Sequence, residues 1–391
     1  MAGISSPGLG SGLDVSGIIS KLMAIEQRPL TALAQKEAGF QAKITAYGSV
    51  KGALSSLQTS LSGLVDGSKF TAFTTSLSES GYVTAAASTS ASAGTHSLEI
   101  AALAQSHKLK SAAFTDTTSA VGTGTVTFQY GTYDSGTNTF TANSSHASET
   151  VTIDSQHTSL SGMRDAINAA SIDVSASITN DGSGYRLVLT SKDTGAANSL
   201  KITVSDSSLD SLAYNPTGTK NMTETVAAQN ASVTIDGIAL SKASNTVTDA
   251  VDGVTFTLSK ITTSALTLTV SRDTNGITSA VSGFVKAFND TQKTIKELTA
   301  YDAKTKKASV LTGDSTLRSV QSQMRNLLNA PVSNAGGGLT SLSEIGVSFQ
   351  RDGSLTLSSS KLSTVLADTT KDVSTLFTAI GKPTDALVKY V

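Results

Sequence analysis

The chain has 391 residues, enough for two or three domains, with 29 basic and 30 acidic side chains mixed along it and a formal charge of −1. No basic stripe is present to displace counterions from nucleic acid, no polybasic block to hold a membrane surface, and no run of 18 apolar residues to cross a bilayer. Cysteine and tryptophan are absent and only 5% of residues are aromatic, which removes disulfides and thiolate chemistry and implies modest cores under a hydroxyl-rich surface.

The first segment, "SSPGLGSGLDVSGIISKLMAIEQRPL" (5–30), carries three alternating glycines, Gly8, Gly10 and Gly12. A dinucleotide loop needs a strand before such glycines, and "MAGISSP" is no strand; no Gly-Lys-Ser/Thr follows for a P-loop. Nor does a positively charged region precede an apolar one, as a secretory signal requires. Pro7 and the glycines keep this lead-in irregular. Asp14 or Ser16 can cap the next helix, on which Val15, Ile18, Ile19 and Leu22 share a face. Pro29 is expected to end or restart that helix. Residues 1–30 thus read as a flexible arm with a short helix. Its apolar residues, Leu9, Leu13, Val15, Ile18, Ile19 and Leu22, are candidates for docking on another protein, because no partner within the chain suggests itself.

From Leu30 the apolar positions Leu33, Phe40, Ile44, Tyr47, Val50, Leu54, Leu57, Leu61 and Leu64 follow steps of three, four or seven, the seam of a long helix over 31–70. Gly39, Gly48, Gly52 and Gly63 weaken it by about 1 kcal/mol each relative to alanine, so it needs a partner.

Near Ser68 the period changes to short alternating runs between turns. "GTVTFQYGTY" and "ASVTIDGIAL" (Ala231 to Leu240) are strand candidates. "GVTFTLSKITTSALTLTVS" gives two strands around a Thr-Thr-Ser turn, with Val254, Phe256 and Leu258 on one face, then Leu266, Leu268 and Val270. Over 154–204, Leu160, Met163 and Ile167 mark a short helix, and "VSASI" and "YRLVLTS" a hairpin across "NDGSG".

At Ile277 the helical period returns. Ile277, Val281, Phe284, Phe288, Ile295 and Leu298 form a second heptad seam, with Phe284 and Phe288 facing either the core or another subunit. Asp314 can cap a helix carrying Leu317, Val320, Met324, Leu327 and Leu328. "SLSEIGVSFQRDGSLTLSS" reads as two short strands around Arg351-Asp352-Gly353, and Val373, Leu376, Phe377 and Ile380 lie on a final short helix. The expected class is therefore α+β and multidomain: a helical stem in two parts that pack together, with β-rich domains inserted between them. The expected divisions are 71–105 with 225–271 as a middle β domain, 106–224 as an outer one, and 272–391 as the returning stem.

Catalytic and metal motifs do not emerge. His96, His107, His146 and His157 lack helical metal spacing and read as solvated or loop histidines. "GLGSG" is no nucleophile elbow, and Asp249 and Asp252 flank a turn. No enzyme, cofactor or metal is expected.

Several stretches together resemble one family. "GLGSGLDVSGIISKLMAIEQRPL" and "KITAYGSVKGALSSL" are similar to the N-terminal region of the flagellar filament cap family, hook-associated protein 2. "SLSGMRDAINAASIDVSASITNDGSGYRLVLTSKDTG" resembles a repeat of flagellins and hook-associated proteins. "NASVTIDGIALSKASNTVTDAVDGVTFTLSK", "FVKAFNDTQKTIKEL", "LTGDSTLRSVQSQM" and "LSEIGVSFQRDGSLTLSSSKL" resemble the family's C-terminal region in order and spacing. Relatives commonly have Tyr-Asn where this chain has Phe288-Asn289.

The resemblance implies a homo-oligomer, pentameric in enteric relatives, at the distal tip of the flagellar filament, exported through the flagellar type III channel. It implies flagellin, the filament tip and other hook-associated proteins as partners. The chain stops at "DALVKYV", where relatives continue into a heptad helix that carries the site for a cytoplasmic export chaperone. The resemblance therefore does not extend chaperone binding or filament insertion to this chain. Two other readings stay open: a different axial subunit (flagellin or a hook–filament junction protein), and an adhesin that binds host surface glycans through its β region.

Overall fold

The computed structural model describes residues 14–332, 336–368 and 370–381. The chain divides into two compact units, Met1–Thr71 with Asp273–Val391, and Ala72–Arg272. Among the described residues the helices are α1 (Val15–Val65), α2 (Leu160–Ala169), α3 (Thr274–Thr299), α4 (Ser315–Asn329), α5 (Ser359–Ala367) and α6 (Val373–Gly381).

The α1 helix begins where Asp14 accepts the Gly17 N–H at 2.8 Å and the Ser16 hydroxyl, bonds that hold its carboxyl below the usual range. It then runs unbroken for 51 residues, through Pro29. The expected stop at residue 30 is absent, so the short helix and the long one are a single element. Proline removes one intrahelical N–H bond, but the neighbouring residues are exposed, and the freed carbonyl can turn to water.

The stem core forms where the second half of α1 meets α3. Leu57 and Leu64 pack with Ile277, Val281, Phe284 and Phe288, joined by Leu342, Ile345, Leu362 and Phe377 from the segments that follow. Ala46 and Val50 pack separately with Ile295, Leu311 and Leu317. The order of these contacts makes α1 and α3 antiparallel. Aromatic rings fill the centre: Phe377 stacks on Phe70 at 5.9 Å and meets Phe284 edge-on at 6.3 Å, while Phe288 meets Phe349 edge-on at 5.7 Å. The strands Val347–Phe349 and Leu355–Leu357 pair around Arg351-Asp352-Gly353, as their spacing predicts.

The Ala72–Arg272 unit contains two separate cores. In one, an antiparallel five-stranded sheet runs in the order Phe73–Leu77, Leu266–Arg272, Gly94–Ala102, Ala231–Ile235, Ile238–Lys242. Its apolar residues share a core with a three-stranded sheet of Thr246–Val251, Val254–Leu258 and Val83–Ala87. In the other, Gly124–Asp134 pairs with Ser199–Val204, Thr139–Ala142 and Glu149–Ile153. The Tyr185–Thr194 strand of that core pairs with Ser106–Lys110 and Val174–Asn180. The α2 helix contributes Leu160, Met163 and Ile167 to it. The hairpin across "NDGSG" is present, with Val174 opposite Ser191 and Asn180 opposite Tyr185.

Local readings changed in three places. "ASVTIDGIAL" is a hairpin instead of one strand: Asp236 and Gly237 take φ of 51° and 82°, the left-handed pair that a two-residue turn needs. The segment 259–265 joins two different sheets, so Val254–Leu258 and Leu266–Arg272 are not partners. Asp249 sits on a strand and pairs with Lys242 at 2.8 Å, while Asp252 occupies the turn.

Candidate partner interface

Of the docking candidates, Val15, Ile18, Ile19 and Leu22 lie on the part of α1 that precedes its packed half. Leu9, Leu13 and the Val15 side chain fall outside the described residues; Ile18, Ile19 and Leu22 are exposed, as are Met23 and Ile25. Exposure continues along the expected seam. Leu30, Leu33, Phe40, Ile44 and Tyr47 recur at steps of three, seven, four and three, and all face solvent, Phe40 at 66%. The seam becomes buried only after Tyr47. Leu54 and Leu61 are half-buried, and Leu57, Ile277, Val281, Phe284, Phe288 and Ile295 are buried, with Leu298 packed at the edge.

Length explains the division. A helix of 51 residues is roughly 76 Å long and the 26 residues of α3 roughly 39 Å, so α3 can cover only half of α1. Residues 16–45 therefore form a stretch of roughly 45 Å whose apolar side chains have no cover within the described residues. Isolated apolar residues on a surface are ordinary, but a periodic row at heptad spacing is the pattern of a helix that packs against another helix.

Where the exposed and packed halves join, Tyr47 is tied down. Its hydroxyl donates to the Asp314 carboxylate, which also caps α4 by accepting the Leu317 N–H at 3.0 Å. The bond lowers the Asp314 carboxyl below its usual range and raises the Tyr47 phenol. Nearby, Thr291 is fully buried and donates to the carbonyls of Ala287 and Ala53, at 2.8 and 3.2 Å, linking α3 to α1. A cavity of about 190 Å³ opens within the stem, lined by apolar residues that include Leu57, Leu61, Phe284, Phe288, Leu328 and Phe377.

Other side chains that tie the fold together carry no signal in residue spacing. Asn289 accepts the Leu355 N–H at 2.7 Å and donates to the Leu355 carbonyl at 2.8 Å, clipping α3 to the short hairpin as a backbone strand would. Asn245 does the same to Ala104, and Asn168 to Ala176. A lone asparagine carries no periodic signal, so only the fold reveals these clips. His146 and His157 lie in turns, within the solvated-or-loop reading, whereas His96 and His107 sit on strands and depart from it. His107 is fully buried: its Nδ1 accepts the Leu200 N–H at 2.9 Å, which leaves Nε2–H to donate to Glu224 at 2.9 Å. Burial pushes its pKa down, against the opposing pull of Glu224. His96 pairs with Asp236, His157 with Asp154, and His146 lies beside Asp173. No described helix is long and apolar enough to cross a membrane.

The comparisons with known proteins agree in their reach. The N-terminal model of flagellar hook-associated protein 2 matches residues 11–107 and its C-terminal model residues 228–387, with a flagellin hook IN motif at 139–193. Flagellar hook-associated protein 2 of Escherichia coli strain K12 is 36% identical over 98% of this chain and 82% of its own. The B-type protein of Pseudomonas aeruginosa is 34% identical over 97% of this chain and 81% of its own. The crystal structure of the flagellar cap protein FliD D1-D2-D3 domains from Escherichia coli superposes with a TM-score of 0.68 at 33% identity, covering 87% of this chain and 92% of that one. With its α+β architecture and close relatives along its whole length, the chain belongs to the flagellar hook-associated protein 2 family, a structural and non-enzymatic family of filament caps.

Proposed function

We propose that the chain works as the flagellar filament cap, an oligomer at the distal tip beneath which flagellin folds and adds. The observation that carries this reading is the uncovered heptad row of α1, from Ile18 to Tyr47. Such a row is satisfied by helices of sister subunits or of the filament end. Burial of apolar surface at about 25 cal/mol per Å² supplies the attraction, and no bond-making step is needed. Leu9, Leu13, Val15, Ile18, Ile19 and Leu22 are the residues assigned to the filament, and Phe40, Ile44 and Tyr47 those assigned to neighbouring subunits. The proposed partners are further copies of the chain, with five as the expected number, flagellin, and the filament tip.

A strain that lacks the protein tests the proposal. It should release unpolymerised flagellin into the medium and carry short filaments or none. Restoring the gene should reverse this, and restoring it with Phe40→Asp and Ile44→Asp should not. Normal-length filaments in the deletion strain would overturn the reading, and immunogold label spread along the filament would favour another axial subunit.

A further inference from the structure

We propose that His146, Glu149 and Asp173 form a binding site for a first-row divalent cation, best suited to zinc, in the Ala72–Arg272 unit. The three come from separate segments. His146 follows the strand Thr139–Ala142, in a turn where its N–H reaches the Asn143 carbonyl at 3.1 Å. Glu149 opens the strand Glu149–Ile153, and Asp173 lies just before the strand Val174–Asn180. Folding brings one donor atom from each within 4.8 Å of the others. His146 Nε2 and Asp173 Oδ2 are 3.1 Å apart, within a few tenths of an ångström of the roughly 3.4 Å that separates two tetrahedral ligands bound about 2.1 Å from one zinc ion.

Tyr130 orients two of the three. Its buried ring stacks on His146 with centroids 3.8 Å apart and planes 6° from parallel, which fixes the imidazole plane. Its hydroxyl donates to Glu149 Oε2, which also accepts the Asp173 N–H at 2.9 Å. Supporting contacts of this kind hold metal ligands in place. Charge points the same way. Two half-buried carboxylates face each other, and among the described residues His146 is the one basic side chain that pairs with either. A divalent cation neutralises that excess, and an imidazole among oxygen donors favours transition metals over magnesium or calcium. The bound ion would clip the turn beside one sheet to the segment that enters the other.

The test is titration of the full chain with zinc, followed by calorimetry and thermal unfolding, and with cobalt for its visible spectrum. His146→Phe keeps a ring for Tyr130 to stack on and removes the donor. The expected result is one zinc per chain, a thermal midpoint raised by zinc but not by magnesium, and a loss in His146→Phe of at least about tenfold in affinity together with that rise. Asp173→Asn should also weaken binding, while His157→Gln, at the separate pair with Asp154, should not. Absence of zinc binding, or binding that His146→Phe leaves unchanged, would overturn the proposal and leave a His146–Asp173 ion pair alone.

Discussion

The two halves of α1 have the same kind of sequence and opposite surroundings. Leu54, Leu57, Leu61 and Leu64 lie against α3 and the segments after it, whereas Leu30, Leu33, Phe40 and Ile44, on the same seam, meet solvent. Heptad spacing states that a helix wants a neighbour; it does not state whether that neighbour is in the same chain. Here the supply of partner decides. The α3 helix is half as long as α1, so the earlier half of the seam has no cover among the described residues.

Substitution at the two ends of this seam should break the comparison most clearly. Phe284→Ala removes a ring that is fully buried among aromatic neighbours and should cost about 3–5 kcal/mol in urea unfolding of the stem. Phe40→Ala, at 66% exposure, should change the stability of the isolated chain by less than about 0.5 kcal/mol. Its effect should appear only in oligomer size by sedimentation and in filament growth. Equal losses in the isolated chain would show that Phe40 is covered in solution.

Asn289→Ala comes next. It leaves the N–H and the carbonyl of Leu355 without their partner and should destabilise the stem by about 1–3 kcal/mol, with Asn289→Asp failing to restore the donor. The equilibrium unfolding midpoint checks it.

Acid separates the stem from the β-rich unit. All four histidines belong to Ala72–Arg272, and His107 has a depressed pKa in the folded state. The unfolded chain therefore binds more protons than the folded one once pH falls below the ordinary histidine value of about 6.5. Stability of this unit should be full above that pH and should fall below it, by at most about 1.4 kcal/mol per pH unit, until the folded histidine itself protonates. The stem should be unaffected in the same window, and His107→Gln should remove the slope. Thermal unfolding at pH 7 and pH 5.5 reads the difference.

A further small effect has the opposite sign. A methyl group added at Gly48 or Gly52 meets nothing within 4 Å, so alanine there should stabilise α1 by about 0.5–1 kcal/mol. Lower stability in either variant would place another chain against that face.

Repeating patterns made much of the fold legible. The change from helical to alternating periodicity near Ser68, its return at Ile277, the caps at Asp14 and Asp314, and the hairpins at 174–194 and 347–357 follow from residues close together in the chain. Their physics is local: an aspartate reaches amides three residues on, and a side chain's face is set by the pitch of its own element. Tertiary structure alone decided the rest. It sent 254–258 and 266–272 to different sheets, buried His107 beside Glu224, and gathered His146, Glu149 and Asp173 around Tyr130. These outcomes depend on groups far apart in sequence that compete for cover and for hydrogen bonds, and that competition is settled only when the whole unit packs.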